Sequence, residues 1–145
     1  MDTEEFLELA FVKDKTIFYK LSEAERNLLE QTIQKFGLDS IRRSKISDLS
    51  GGERQKLLIA QAMLLRPKVL ILDEPFNNID ARYIDEMIDI FADFVAEGNS
   101  ILSVYHDWET IKKSSSRVIL LNKKILRIGD PKKILNQDLF CKLYY

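Results

Sequence analysis

The apolar positions of residues 1–48 recur with the spacing of amphipathic helices. A short first segment is centred on Phe6 to Ala10. Ser22 and Glu25 then form a capping-box pattern, in which a serine caps a helix and a glutamate three residues later bonds back to it. Gly37 follows the last apolar position and suits a left-handed helix end. These residues are predicted to form a helical part of the protein.

From residue 49 onward, helical spacing alternates with short apolar runs. Val69–Leu72 and Ile101–Val104 are continuously apolar, which predicts strands of a parallel sheet that are buried on both faces. Between them, Ala81–Glu97 has the spacing of a long helix that ends at Gly98. The stripe expected to face the core consists of Ile84, Met87, Ile88, Phe91 and Val95.

The last part of the chain predicts a hairpin followed by a helix. Arg117–Leu121 and Ile125–Ile128 are separated by a short polar turn, and Asp130-Pro131 is typical of a helix start. The fold class expected from the whole pattern is α/β: a parallel sheet, a helical subdomain portion over residues 1–48 and a C-terminal β-hairpin within residues 49–145.

Composition narrows the function classes. The 145 residues are 46% hydrophobic, with acids and bases interspersed and a formal net charge of −1, which argues against a nucleic-acid-binding surface. The single cysteine, Cys141, allows no internal disulfide, and one cysteine with one histidine makes no His/Cys zinc site. The acidic N-terminus is unlike a secretory signal, so a reducing, cytoplasmic location is expected.

Two motifs carry candidate chemistry. Leu49-Ser50-Gly51-Gly52-Glu53-Arg54-Gln55 opens a helix, where backbone N–H groups and the positive helix end attract an anion such as phosphate. Eighteen residues after Gln55, Asp73-Glu74-Pro75 follows an apolar strand, where carboxylates suit a metal ion and a general base. The simpler readings are a capping box for the first motif and a surface turn for the second.

The order of these motifs resembles that of an ATP-binding cassette (ABC) ATPase, with its signature motif followed by Walker B. The segment that runs from Phe76 to Asp80 resembles the D-loop, and His106, two residues after a predicted strand, resembles the switch histidine. Taken alone, a histidine such as His106 is more often structural or exposed, and Asp80 is also a good N-cap for the helix that begins at Ala81. The resemblance implies a partial P-loop NTPase (RecA-like) core.

The resemblance also implies a role for each site residue. Ser50, Gly51 and Gly52 would contact the γ-phosphate of ATP held by another subunit, and Glu53 would belong to the same nucleotide-binding motif. Asp73 would orient Mg²⁺, and Glu74 would be the catalytic base. His106 would bond the γ-phosphate and help to place Glu74, and Asp80 would act across the dimer between the two ATP sites.

The sequence departs from the family pattern at three points. It contains no Gly-x-x-x-x-Gly-Lys-[Ser/Thr] loop (Walker A), Glu53 replaces the commoner glutamine, and Tyr105 replaces a small residue. The first departure predicts that the chain alone does not hydrolyse ATP, and that ATP and Mg²⁺ bind tightly only in a complete site. It also leaves strand edges at Ile101–Val104 and Val118–Leu121 open. Direct pairing of these edges or, preferably, self-association is expected to cover them.

The expected function is therefore that of the C-terminal portion of an ABC transporter ATPase, whether a fragment or a truncated gene product. Its expected partners are a transmembrane permease and a second ATPase subunit in a head-to-tail dimer, at the inner face of the membrane, without nucleic acid. Two alternatives stay open: the C-terminal lobe of a chromosome-maintenance or DNA-repair ABC protein, and a non-catalytic interaction module derived from an ABC cassette.

Overall fold

A computed structural model describes residues 1–12, 20–77 and 79–135, and the chain divides into two compact units, Met1–Ser103 and Val104–Tyr145. The described elements are, in order, α1 (Thr3–Glu8), α2 (Glu23–Lys35), α3 (Gly51–Leu64), β1 (Val69–Asp73), α4 (Ala81–Ala96), β2 (Ser100–Val104), α5 (Trp108–Ser114), β3 (Val118–Asn122), β4 (Lys124–Gly129) and α6 (Pro131–Ile134). Short 3₁₀ turns lie at Leu9–Phe11, Asp39–Ile41 and Ile46–Asp48.

The α/β fold class is confirmed. The strands form two separate two-stranded sheets, β1 with β2 and β3 with β4. The first sheet is parallel, with α4 as its crossover helix. Direct pairing of β2 with β3, one of the two expected ways to cover the open strand edges, is not found among the described residues.

Helix starts follow the sequence pattern closely. Ser22 caps α2, its Oγ accepting from the Glu25 N–H while the Glu25 carboxylate accepts from the Ser22 N–H at 2.9 Å. After α2, Gly37 has a φ of +61°, the left-handed conformation that favours glycine at a helix end. Asp2 caps α1 in the same way as Ser22 caps α2.

An ion cluster ties the segment before α3 to the first two helices. Arg42 donates to Glu4 on α1 at 2.6 Å and makes a bidentate contact with Glu30 on α2. Hydrogen bonds from Arg42 hold the pKa values of both carboxyls below their ordinary range. The Arg43 guanidinium lies 3.1 Å from the second Glu4 oxygen. This cluster anchors the chain just before the Ser50–Glu53 motif.

One hydrophobic core serves unit 1. It includes side chains of α1, α2, α3, β1 and α4, among them Leu7, Ile33, Leu57, Leu72 and Phe91. On α4 the predicted stripe is partly wrong. Met87 and Phe91 are buried as expected, but Ile90 and Phe94 complete the buried face and Val95 is exposed, because the helix turns a slightly different side to the core.

The prediction that both faces of the strands are buried is wrong. Leu70 and Leu72 of β1 are 6% and 9% exposed, whereas Val69 and Ile71 on the opposite face are 56% and 74% exposed. Leu102 of β2 is also exposed. The helices of unit 1 contribute core residues to one face, so alternate side chains point to solvent. We refer to Val69, Ile71 and Leu102 as the open sheet face.

Unit 2 has a small core of its own. β3 pairs antiparallel with β4, which confirms the predicted hairpin. The register of this pair is irregular between Leu120 and Leu121. Asp130 caps α6 with Pro131 at its first turn, which confirms the predicted helix start. Ile111 of α5 packs with Ile134 and Leu135. Across both units, no described helix has the length and apolar character needed to cross a bilayer.

Candidate functional site

The Ser50–Glu53 motif is the N-terminus of α3. Ser50 is the N-cap: its Oγ accepts from the Glu53 N–H at 3.3 Å, and its own N–H donates to the Glu53 carboxylate at 2.8 Å. The serine hydroxyl also donates to the same Glu53 oxygen at 2.7 Å. The capping-box interpretation is therefore confirmed as local geometry.

This geometry distributes the helix-end donors unevenly. Among the described residues, the N–H groups of Ser50 and Glu53 are occupied by the capping box, and those of Gly51 and Gly52 have no protein partner. An α-helix leaves its first N–H groups without intrahelical acceptors. The two remaining donors thus belong to residues without side chains, at the positive end of the helix dipole. This arrangement suits a multivalent anion.

Glu53 places a negative charge beside those two donors. Hydrogen bonds from the Ser50 hydroxyl and the Ser50 N–H lower the pKa of Glu53, so the carboxylate stays ionised at neutral pH. A phosphate at Gly51 and Gly52 would meet this like charge, and the Ser50 hydroxyl would donate to the ligand only by giving up its hydrogen bond to Glu53. Ser50 and Glu53 therefore set how strongly the helix end attracts an anion.

The second motif lies where β1 ends. Asp73 is the last residue of β1 and is exposed, and Glu74 follows with a φ of +46°, a left-handed conformation that L-residues other than Asn and Asp rarely adopt. Pro75 is fully buried. The Asn77 side-chain amide donates to the Glu74 carboxylate at 3.0 Å. Backbone strain of this kind is concentrated at functional sites.

Asn77 lies in the segment predicted as the D-loop, but its hydrogen bond to Glu74 was not predicted from the sequence. The available signal was an asparagine three residues after a glutamate in a proline-containing turn, since Asn side chains often bond within such turns. Two residues of the D-loop-like segment pack against the core: the Phe76 ring stacks on Phe91 at 5.6 Å between centroids, and Ile79 is buried.

Asp80 has the structural role that its position predicted. It caps α4, accepting from the Arg82 N–H at 3.0 Å and from the Arg82 guanidinium at 2.9 Å. The Arg82 side chain and then its N–H lower the pKa of Asp80 to about 2. A contact across a dimer would compete with this pair.

His106 lies in unit 2, two residues after β2 ends, and its side chain is exposed. The next residue, Asp107, caps α5 by accepting from the Thr110 N–H at 2.8 Å. The short helix α5 therefore begins directly after His106 and its cap. Asp73 and Glu74 lie in unit 1.

The carboxylates of the described residues do not form a dedicated metal cage: no group of three or more His, Cys, Asp or Glu side chains has the geometry for one. Mg²⁺ in nucleotide sites is held by one or two carboxylates together with phosphates and water. A single exposed aspartate at a strand end fits that kind of site, and Asp73 is such a residue.

Comparison with known proteins identifies the family. The family model described as ABC transporter matches residues 3–77, which is half of the chain. This chain belongs to the ABC transporter family. The zinc import ATP-binding protein ZnuC of Acinetobacter baylyi is 35% identical over 125 residues, covering 86% of this chain and 48% of that protein. The manganese transport system ATP-binding protein MntB of Halalkalibacterium halodurans is 28% identical over 127 residues, covering 88% of this chain and 51% of that protein.

Solved structures of ABC proteins agree with the fold. CbiO1 from Clostridium perfringens, part of the ABC transporter complex CbiONQ, matches 97% of this chain and 55% of its own with a TM-score of 0.76 at 22% identity. The partial P-loop NTPase fold expected from the sequence is therefore confirmed. The chain spans about half the length of the curated relatives that it matches.

Proposed function

We propose that this chain contributes the signature, Walker B and switch residues of an ABC transporter ATPase, as the C-terminal portion of its ATP-binding protein. The observation that carries the proposal is the pair of unpartnered glycine N–H groups at the start of α3, in a chain whose next strand ends in two carboxylates. ATP hydrolysis in the assembled transporter would drive transmembrane transport.

Within this proposal, α3 recognises the terminal phosphate of a nucleotide. The N–H groups of Gly51 and Gly52 donate to phosphate oxygens, and the Ser50 hydroxyl exchanges its bond with Glu53 for one with the ligand. In this family the γ-phosphate is held by another subunit. The start of α3 would therefore contact the phosphate of an ATP molecule that the other subunit binds. The second ATPase subunit of a head-to-tail dimer is the proposed partner.

The residues after β1 carry the hydrolytic role. ATP supplies the phosphoryl group, and Asp73 would hold Mg²⁺, which would neutralise part of the phosphate charge. Glu74 accepts the proton of the water whose oxygen bonds to the γ-phosphorus as the bond to the ADP oxygen breaks. His106 is proposed to bond the γ-phosphate, and Asp80 to contact the second subunit.

Mutations in the protein completed by a Walker A-bearing polypeptide test these assignments. Glu74→Gln should abolish ATP turnover but retain ATP, because the amide keeps the size of the carboxylate and cannot accept the proton. Ser50→Arg should prevent closure around nucleotide by filling the phosphate position. Normal hydrolysis by Ser50→Arg would show that the signature assignment is wrong.

The remaining proposals concern assembly. We propose a permease as the membrane partner and a cytoplasmic, peripheral location. For the isolated chain we propose self-association through the open sheet face, since Val69, Ile71 and Leu102 leave apolar area in water. Sedimentation at micromolar concentration should show dimers or larger species that Ile71→Lys dissociates. Leu58→Lys, at an exposed leucine of α3, is the matched control and should leave association unchanged. Monomeric wild-type chain would contradict the proposal.

A further inference from the structure

One residue holds Glu74 at two points. The Asn77 side-chain Nδ2 donates to the Glu74 carboxylate Oε2, and the Asn77 backbone N–H donates to the Glu74 carbonyl, both at 3.0 Å. The intervening turn carries Glu74 at a φ of +46°. Backbone and side chain of Glu74 are thus fixed from the same position.

The loop that presents Asn77 is itself anchored. Pro75 is fully buried, Phe76 stacks on Phe91 of α4 with the rings inclined at 22°, and Ile79 lies in the core of unit 1. The side chain at position 77 is therefore attached to a segment packed on both sides. A donor on such a segment limits the carboxylate to few orientations.

A glutamate side chain loses substantial rotamer freedom when it is fixed in one orientation. A general base that is already oriented does not lose that freedom in the transition state. The chemistry of the donor also matters. A neutral amide donates a hydrogen bond to the carboxylate and leaves its negative charge in place. An aspartate at the same position would repel the carboxylate, and a leucine would offer no hydrogen bond.

We propose that Asn77 is a positioning residue that orients the Glu74 carboxylate toward the attacking water. The proposal rests on the proposed function, in which Glu74 is the base. Asn77 acts through Glu74 and does not itself touch ATP.

The hydrogen bond can be tested in the chain without any activity. In the ¹⁵N-labelled protein, the side-chain NH₂ resonances of Asn77 should move upfield in Glu74→Ala, because the carboxylate acceptor is lost. Asn99 provides an internal control, since its Nδ2 donates to the Phe94 carbonyl at 3.1 Å and should keep its shift. An unchanged Asn77 resonance in Glu74→Ala would overturn the proposal.

The positioning role needs a kinetic readout in the protein completed by a Walker A-bearing polypeptide. Asn77→Leu should lower kcat about tenfold with KM for ATP within about twofold, and Asn77→Asp should lower kcat further. Asn99→Leu should retain kcat. Wild-type kcat in Asn77→Leu, with Glu74→Gln inactive, would overturn this inference alone. Full turnover by Glu74→Gln would overturn the proposed function and this inference with it.

Discussion

Over Val69–Leu72, both faces of β1 carry aliphatic side chains, but the two faces have opposite surroundings. Leu70 and Leu72 pack into the core with α3 and α4, while Val69 and Ile71, of similar hydrophobicity, face solvent. Burying one such side chain contributes on the order of 2 kcal/mol, so the open face forgoes several kcal/mol that the packed face gains. The apolar run of β1 is typical of a strand that is packed on both faces, and the described residues pack on one of them.

The largest effect should separate the two faces directly. In the monomeric chain, Leu72→Ala should lower the free energy of unfolding by about 3 kcal/mol, through lost burial and a cavity, and Ile71→Ala by less than about 0.5 kcal/mol. Urea denaturation followed by circular dichroism measures both, at a concentration at which sedimentation shows monomer. Equal losses would mean that Ile71 is covered within the monomer and that the comparison does not hold.

A smaller effect is expected for the ion cluster of Arg42, Glu4 and Glu30 in unit 1. Arg42→Ala should cost about 2 kcal/mol at neutral pH, because Glu4 and Glu30 lose charged hydrogen bonds, Glu4 from a buried position.

The pH dependence of this effect has a definite sign. Both carboxyls have pKa values lowered from 4.5, so their contribution is present above pH 4.5 and is lost as the pH falls through the lower folded-state values. The difference between wild type and Arg42→Ala should shrink from pH 6 to pH 3. A difference that stays constant over that range would exclude the ion cluster as the cause.

The smallest effect lies where β1 leaves the core. Glu74→Gly should raise the free energy of unfolding by about 1 kcal/mol, since glycine adopts a left-handed φ without the steric penalty of a side chain. Arg66→Gly, at a φ of +51°, is the matched control and should stabilise similarly. Only Glu74→Gly should abolish hydrolysis in the completed protein. Destabilisation by Glu74→Gly alone would show that the side-chain contact with Asn77 outweighs the strain.

Much of the fold was predictable because its signals are local. The capping boxes at Ser22 and Ser50, the β3–β4 hairpin and the Asp130 cap follow from a few adjacent residues. The exposed face of β1 was not predictable. An apolar run indicates that both faces of a strand are suited to burial, but it does not show whether other elements pack on them. The buried face of α4 differed from its predicted stripe for a related reason: neighbouring elements decide which side of the helix is packed.

In the candidate site, too, local features were predictable and features that depend on packing were not. The positions of Ser50, Asp73 and Asp80 at element ends followed from the sequence, since caps and strand ends have local signatures. The left-handed backbone of Glu74 and its hydrogen bond from Asn77 did not, because both depend on the packing of the buried Pro75 and the partly buried Phe76 in this turn.

We propose that this chain supplies the signature and Walker B groups of an ATP site, and that hydrolysis requires a Walker A loop in addition. Steady-state phosphate release from ATP should be measured for the chain alone and with a Walker A-bearing polypeptide. We expect release by the chain alone to be no faster than that of a Glu74→Gln control, and faster, Glu74-dependent release after addition of the polypeptide. Release above the Glu74→Gln control by the isolated chain would show that the proposal is wrong.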